Sequence, residues 1–265
     1  MLQLHHADMS TCSQKVRLVL AEKNVKAEEI MVDLATGAQK KPDYLKLNPG
    51  GYVPTLVHDG YAVPESTVIC EYLDEVFPEP TLKPADAMGR ASMRWWTRLI
   101  EEALHPANSA VSIAIWMREG LLKQPPEARE RGLAAIPNPG RREWRRDLVE
   151  NGVESMHFAA GLQTLDKLIG DMNDALAGKP WLAGTYSLAD IGFAVYVNRI
   201  DELQLGAALF GGRSNVVRWL DAVRRRDNWR AAVEPYQHAP VLATMKRLGE
   251  AVKPRVAEVM KGLRG

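Results

Sequence analysis

Cysteine is scarce in this chain: Cys12 and Cys70 are the only two among 265 residues. They make no disulfide framework, so a reducing compartment, the cytoplasm, is expected. Long apolar runs are missing as well. Nothing approaches the ~18 residues that a membrane span requires, and Met1-Leu2-Gln3-Leu4-His5-His6 carries no signal-peptide pattern, so neither membrane insertion nor export is expected. Net charge is almost absent, at +1, so there is no global basic field to release counterions from a nucleic acid. The one dense cationic stretch, Arg141-Arg142-Glu143-Trp144-Arg145-Arg146, reads as a solvated helix face. No His/Cys grouping has zinc-ligand spacing, and no glycine-rich dinucleotide or P-loop pattern occurs, so no metal or nucleotide cofactor is expected. What remains is ordinary globular material, 46% hydrophobic and 25% charged, long enough for one large domain or two modest ones. Repeats and low-complexity segments are not visible.

The most structured signal is Asn48–Ser66. Asn48-Pro49-Gly50-Gly51 is dense turn chemistry, and Val53-Pro54-Thr55-Leu56-Val57 places a proline at the entrance of a strand, where its missing N–H is tolerated. Asp59-Gly60 is a hairpin signal between strands expected at Thr55–His58 and Tyr61–Val63. Ahead of it, Leu2–His5 and Glu29–Val32 read as strands. Val16, Val19, Leu20 and Lys23 follow helical spacing up to Asn24, a suitable C-terminal cap, and Asp43–Leu47 is a short helical turn. Behind it, Ile69, Tyr72, Leu73 and Val76 recur at i, i+3, i+4 and i+7, which predicts a helix over Ser66–Phe77. The order β-α-β-α-β-β-α in under 80 residues is a small α/β layer domain.

Phe77-Pro78-Glu79-Pro80-Thr81-Leu82-Lys83-Pro84 reads as a linker, and nearly everything beyond is helical. The division expected is residues 1–80, a linker at 81–87, and an all-helical domain over 88–265. Trp96, Leu99, Ile100, Ala103, Leu104 and Ala107 share a stripe on a long helix running towards Met117. Prolines make 120–140 irregular or only partly helical, and helix is expected to resume over 143–177, with Leu162, Leu165, Asp166 and Ile169 in register. Ser187-Leu188-Ala189-Asp190 before an apolar run is a capping box. Residues 241–263 form a helical tail interrupted by Pro254, with Leu248, Val252, Val256 and Val259 apolar.

A small β-α-β-α-β-β-α domain followed by an all-α domain resembles the soluble glutathione transferase family, over nearly the whole chain. The likeness rests on Ser10-Thr11-Cys12-Ser13, Val53-Pro54, Glu65-Ser66 and Ser187–Asp190, in that order. Each is weak alone. Residues 65–73, Arg90–Thr97 and the Ile136-Pro137-Asn138-Pro139 insert with Trp144-Arg145-Arg146 resemble the bacterial β-aryl etherases, whereas Met9–Ser13 resembles the zeta-like branch of isomerases and dehalogenases. The fold implied is an N-terminal thioredoxin-like domain with a C-terminal helical bundle, the cosubstrate implied is glutathione, and the assembly implied is a homodimer.

The resemblance further implies a cis Val53–Pro54 bond that turns the Val53 N–H and C=O towards the cysteinyl backbone of the ligand. Base rates alone favour a trans proline there. Glu65 and Ser66 are implied to hold the γ-glutamyl end, at a helix N-terminus that favours an anion; a plain capping pair is the alternative. Tyr52 departs from many relatives, which carry Gln or Lys. Lys41 or Lys40 is a candidate for the glycyl carboxylate. A free thiol has a pKa of about 8.5, so the chemistry needs a donor that stabilises the thiolate. Ser10, Cys12 and Ser13 are the candidates: Ser10 matches the zeta-branch serine, Ser13 the etherase-like one, and Cys12 the cysteine that forms mixed disulfides. All three could instead be turn and cap residues.

The second substrate is expected between the first-helix loop and the helical domain. Trp95, Trp96, Met93, Ile113, Trp116 and Met117 are candidates to line a pocket for aromatic substrates, although aromatic residues at helical spacing are commonly core. The tail from Val241 could cover that pocket or simply pack. Three reactions stay open: attack of the thiolate on an aromatic or aryl-ether electrophile, glutathione-dependent dehalogenation, isomerisation or thiol transfer through Cys12, or ligand carriage without catalysis. His5, His6, His58 and His105 show no partner pattern, and Cys70 reads as inert packing.

Overall fold

The structure, a computed structural model, describes residues 1–136 and 138–264. Pro137 of the etherase-like insert therefore lies outside the described residues. The chain forms two compact units. The first comprises Met1–Arg98, Gly178–Val195 and Trp219–His238; the second comprises Leu99–Ala177, Tyr196–Arg218 and the stretch from Ala239.

In the first unit, strands β1 (Leu2–His6), β2 (Glu28–Met31), β3 (Thr55–His58) and β4 (Tyr61–Pro64) form one sheet in the order β2-β1-β3-β4. The β1–β2 pair is parallel, and β1–β3 and β3–β4 are antiparallel, with Leu4 opposite Leu56. Parallel β1 and β2 require a crossover, supplied by α1 (Thr11–Glu22). Asn24 ends that crossover in the left-handed region at φ 51°, and the Val25 N–H reaches back to Leu20 O at 2.9 Å. The β3–β4 turn has Asp59 at φ 48° and Gly60 at φ 83°, the paired positive values of a two-residue hairpin. α2 (Pro42–Leu47) and α3 (Ser66–Val76) complete the expected order. Leu4, Val16, Val19, Leu56, Ile69 and Leu73 are fully buried, and Cys70 packs with them; Val76, at the end of the α3 stripe, is exposed.

The expected long helix is an unbroken helical run with two π-helical segments: α4 (Ala87–Leu99), Ile100–Leu104, α5 (His105–Ser112), Ile113–Met117 and α6 (Arg118–Leu122). In the second unit α5 packs closely on α9 (Met156–Ala175): a Cβ added at Gly161 would stand 3.2 Å from Ala107 O. Residues 120–140 are partly helical, as expected: α6 ends at Leu122, and Pro126 then starts α7 (Pro126–Ala134) at its first turn, where no N–H is needed.

The helix expected over 143–177 forms in two pieces. α8 (Pro139–Asn151) stops at Gly152, whose φ of 55° is open to glycine. Arg118 covers that end, donating to Val149 O and Glu150 O at 3.1 Å each. Ser155 then caps α9, accepting from the His157 N–H and donating to Asp147. The arginine cluster is not merely solvated either: Arg142 donates to Ile136 O, and Arg146 binds Glu130 through two bonds of 2.6 and 2.9 Å. The tail is one helix, α14 (Ala239–Arg264), continuous through Pro254, with Met245, Val256 and Met260 buried. The chain after Ala175 otherwise contributes α10 (Leu188–Glu202), α11 (Gly206–Phe210), α12 (Ser214–Arg224) and α13 (Asp227–Ala232). Among the described residues, no helix is long and apolar enough to cross a membrane.

Candidate active site

Two helix N-termini of the first unit carry the candidate chemistry. At the start of α1, Ser10 is the N-cap: its Oγ accepts from the Ser13 N–H at 3.3 Å, which leaves its own proton to donate elsewhere. Cys12, half-buried, lies in the first turn and is in no disulfide. Ser13 differs from both. It is fully buried, and its Oγ accepts from the Ala7 N–H at 3.3 Å, so its visible work is to hold the loop that leads to Ser10. Burial thus sets Ser13 apart from Ser10 and Cys12, which adjacency in sequence could not do.

At the start of α3, Glu65 has φ 69° and ψ 111°, a conformation that costs a non-glycine residue energy and clusters at functional sites. Its side chain makes no capping bond to α3 and points into an exposed position, while Ser66 is buried with 4% exposure and its hydroxyl has no partner among the described residues. The plain capping pair is therefore absent. Lys15, 2% exposed on α1, donates from Nζ to Thr67 Oγ1 at 2.7 Å, bringing positive charge to the same helix start.

Between the two lies Val53-Pro54, joined by a cis bond as expected; Glu79–Pro80 is cis as well. Val53 precedes β3, and its N–H and C=O have no partner among the described residues. The loop before it is fixed from inside. Asn48 Nδ2 donates to Tyr52 O at 3.0 Å and to Thr55 Oγ1 at 3.1 Å, Tyr44 OH donates to Tyr52 O at 2.6 Å, and the Gly50 N–H donates to Asn48 Oδ1 at 3.0 Å. Sequence reading saw the turn but not Tyr44 and Thr55, the buried side chains that lock it. Gly51 sits at φ 63° under the Lys40 side chain, where an added Cβ would stand 2.8 Å from Nζ. Lys40, not Lys41, meets this loop: its Nζ donates to Gly50 O at 3.2 Å and lies 4.9 Å from the Tyr52 ring centroid. Lys41 is exposed at the junction between the 3-10 turn Ala38–Lys40 and α2. A half-exposed Tyr52 therefore stands beside a cation.

These groups fit a γ-glutamyl tripeptide. A backbone N–H and C=O at Val53 without partners among the described residues match a peptide unit, and a serine hydroxyl without a partner among the described residues, at a helix N-terminus, matches a carboxylate.

Of the residues expected to line an aromatic pocket, Met93, Trp96 and Ile113 are buried, Trp116 and Met117 half-buried, and Trp95 is 55% exposed. Trp96 packs edge-on to Phe193 at 5.3 Å, as core aromatics do. Trp116 lies on the second π-helical segment with the Arg199 guanidinium 5.2 Å from its ring. The histidines have structural partners: His58 Nδ1 meets Tyr72 OH at 2.8 Å, and His105 Nδ1 meets Tyr196 OH at 3.2 Å. His6 is fully buried; its Nδ1 accepts from Arg17 at 2.9 Å, and its Nε2 stands 3.2 Å from Glu29 without the alignment of a hydrogen bond. Burial, then the Arg17 charge, lowers the His6 pKa and keeps the ring neutral.

Comparison with known proteins agrees with this geometry. Residues 9–76 match the family model of the glutathione S-transferase N-terminal domain, and residues 141–222 match that of the C-terminal domain. The chain is 32% identical to Protein LigF of Sphingobium sp. over 263 residues, covering 95% of this chain and 99% of LigF. It is 31% identical to a maleylacetoacetate isomerase of Pseudomonas aeruginosa over 189 residues, covering 70% of this chain and 77% of the isomerase. The crystal structure of the beta-etherase LigF superposes with a TM-score of 0.79 at 30% identity, covering 88% of this chain and 99% of the other. The chain belongs to the glutathione S-transferase family, with a thioredoxin-like N-terminal domain, a helical C-terminal domain and glutathione as its cosubstrate.

Proposed function

We propose that this transferase cleaves aryl ethers: the glutathione sulfur bonds to the carbon bearing an aryloxy group, that C–O bond breaks, and the aryloxide takes a proton to leave as a phenol. The observation that carries this reading is the similarity to LigF along the full length of both chains. Bound glutathione supplies the thiolate nucleophile. The protein's part is to orient and ionise it. Val53 offers its N–H and C=O to the cysteinyl backbone, with Pro54 and Tyr52 beside it. Ser66 and the first-turn amides of α3 receive the γ-glutamyl carboxylate, Glu65 accepts from the ammonium, and Lys40, in preference to Lys41, faces the glycyl end. Ser10 donates its free proton to the sulfur, assisted by the amides of the α1 N-terminus, each unit of thiol pKa depression being worth about 1.4 kcal/mol. Ser13 serves by holding Ala7.

Residues 1–80 as the glutathione domain, 88–265 as the substrate domain, cytoplasmic residence and a homodimer through α3 and α4 belong to the same reading. Exposed Val68, Met88 and Trp95 on those helices support the dimer, and a sedimentation mass near 29.5 kDa would contradict it. The test of function is incubation with glutathione and each enantiomer of a model β-aryl ether. Phenol release is expected. No release from either enantiomer sinks the ether-cleaving reading.

A second reading has its own observation. Cys12 is a half-buried cysteine outside any disulfide, in the same helical turn, and its thiol suits a mixed disulfide with glutathione in dehalogenation, isomerisation or thiol transfer. A glutathione adduct on Cys12, seen by mass spectrometry after turnover, supports it. Full activity of Cys12→Ser dismisses it.

A further inference from the structure

Ser10 can serve a sulfur atom only if the loop before it is held still, and the residues that hold it come from far along the chain. Arg17, on α1, is 3% exposed. Its NH2 donates to Asp8 O at 2.9 Å, and its NH1 donates to His6 Nδ1 at 2.9 Å and more weakly to Ala7 O at 3.4 Å. Its Nε donates to Ala232 O at 2.9 Å, at the end of α13. The guanidinium plane rests on Tyr236, 3.8 Å from the ring centroid. Tyr236 is itself fixed, donating to both Glu29 carboxylate oxygens at 2.6 and 2.7 Å. The other side of the loop is tied to the same segment: His238 Nε2 meets Asp8 Oδ2 at 2.7 Å. Residues 232–238 lie outside both stretches matched by the family models, 9–76 and 141–222.

We propose that Arg17, backed by Ala232 and Tyr236, is the positioning residue of the Ala7–Ser10 loop: it fixes where the Ser10 hydroxyl stands relative to the glutathione sulfur while touching neither. The inference rests on the glutathione reading above. The physical ground is the guanidinium's shape. A planar fork reaches two loop carbonyl groups, an imidazole nitrogen and the Ala232 carbonyl at once; an ammonium at the same place cannot. Misplacing a catalytic donor by about 1 Å is enough to cost on the order of 10²-fold. The Ala232–His238 segment is then part of the active site's support, although it brings no atom to the reaction.

The test uses the full-length protein with glutathione and a chromogenic aryl halide. Four forms are compared: wild type, Arg17→Lys, Tyr236→Phe and Tyr236→Ala. Glutathione binding is followed by calorimetry, folding by thermal denaturation, and kcat/KM for glutathione across pH 6 to 9. Arg17→Lys is expected to lower kcat/KM by about tenfold to a hundredfold and to move the midpoint of its alkaline rise up by about one pH unit. The KM for the aryl halide should stay unchanged. Tyr236→Ala should shift the same midpoint in the same direction by less, and Tyr236→Phe, which keeps the ring, should behave as wild type. If Arg17→Lys does not fold, Tyr236→Ala carries the test. A folded Arg17→Lys, or in its place a folded Tyr236→Ala, with an unmoved pH midpoint overturns the positioning role, whatever its rate. Wild type without glutathione binding overturns the glutathione reading instead, and is told apart because the variants play no part in it.

Discussion

Two helices that start in the first unit begin with a serine and an acid, and they end up as opposites. At α10 the acid is Asp190, fully buried, and everything around it is satisfied: Oδ1 accepts from the Leu182 N–H at 3.0 Å and Trp219 Nε1 at 2.9 Å, and Oδ2 from the Ser187 N–H at 3.0 Å and Ser187 Oγ at 3.2 Å. At α3 the acid is Glu65, exposed on a strained backbone, and the serine is buried, its hydroxyl without a partner among the described residues. The capping box at α10 is closed by the chain's own groups and has nothing left to offer. The start of α3 is left open, and an open polar helix start is what a charged ligand needs. A serine–acid motif is therefore structural or functional according to whether its hydrogen bonds are already spent.

The sharpest way to break this contrast is to remove Asp190. Asp190→Ala strands two backbone N–H groups, an indole N–H and a hydroxyl in a buried site, and is expected to cost about 3–5 kcal/mol of stability. Chemical denaturation measures it. A loss below about 1 kcal/mol would mean that water takes over the cap and that the two helix starts are less different than they look.

The same carboxyl predicts a pH dependence of defined sign. Burial pushes Asp190 up to about 6 from 3.8, although its four donors pull the other way. The folded state then holds a proton more tightly than the unfolded state between those values. The Asp190 contribution is full at low pH and falls as pH rises through 3.8 to about 6, by up to roughly 3 kcal/mol. His6 acts oppositely: its lowered pKa means that stability falls as pH drops through the ordinary histidine range near 6.5. The stability difference between wild type and Asp190→Ala, measured at pH 4.5 and pH 8, isolates the first effect. A difference that grows towards pH 8 would show that the four donors outweigh burial.

Ser66→Ala probes the open helix start. Its hydroxyl has no partner to lose among the described residues, so stability should move by no more than about 0.5 kcal/mol. Glutathione loses one hydrogen bond to a charged group, about 1.5 kcal/mol, so its KM should rise by roughly tenfold. A stability loss without a change in KM would turn α3 into another closed cap.

How much of this was legible in the sequence follows from how local each feature is. Asn48–Ser66 and Ser187–Asp190 are turn and cap chemistry within a few residues, and both formed where expected. The sequence does not separate Lys41 from Lys40, and Lys40 does the reaching, because one residue decides which side chain a 3-10 turn aims at Gly50. Gly152 and Ser155 interrupt α8–α9 through a positive φ and a cap that helical periodicity alone does not register. Arg17 and Tyr236 were invisible for a different reason: they are partners across more than two hundred positions, and nothing in the apolar spacing of either helix announces a guanidinium lying on a distant ring.

The smallest effect expected is at Gln14, and its sign is informative. Gln14 is 1% exposed inside α1, and neither Nε2 nor Oε1 has a partner among the described residues. A buried amide without partners costs desolvation and returns nothing, so exchanging it for an apolar side chain of like volume should be neutral or stabilising. Gln14→Met should therefore leave turnover unchanged and raise the denaturation midpoint, by an amount equivalent to about 1 kcal/mol. The alternative outcome is a stable variant with reduced kcat/KM for glutathione. That result would place Gln14 with Ser66, as an unspent polar group that a ligand uses, and would extend the glutathione-facing surface one turn further into α1.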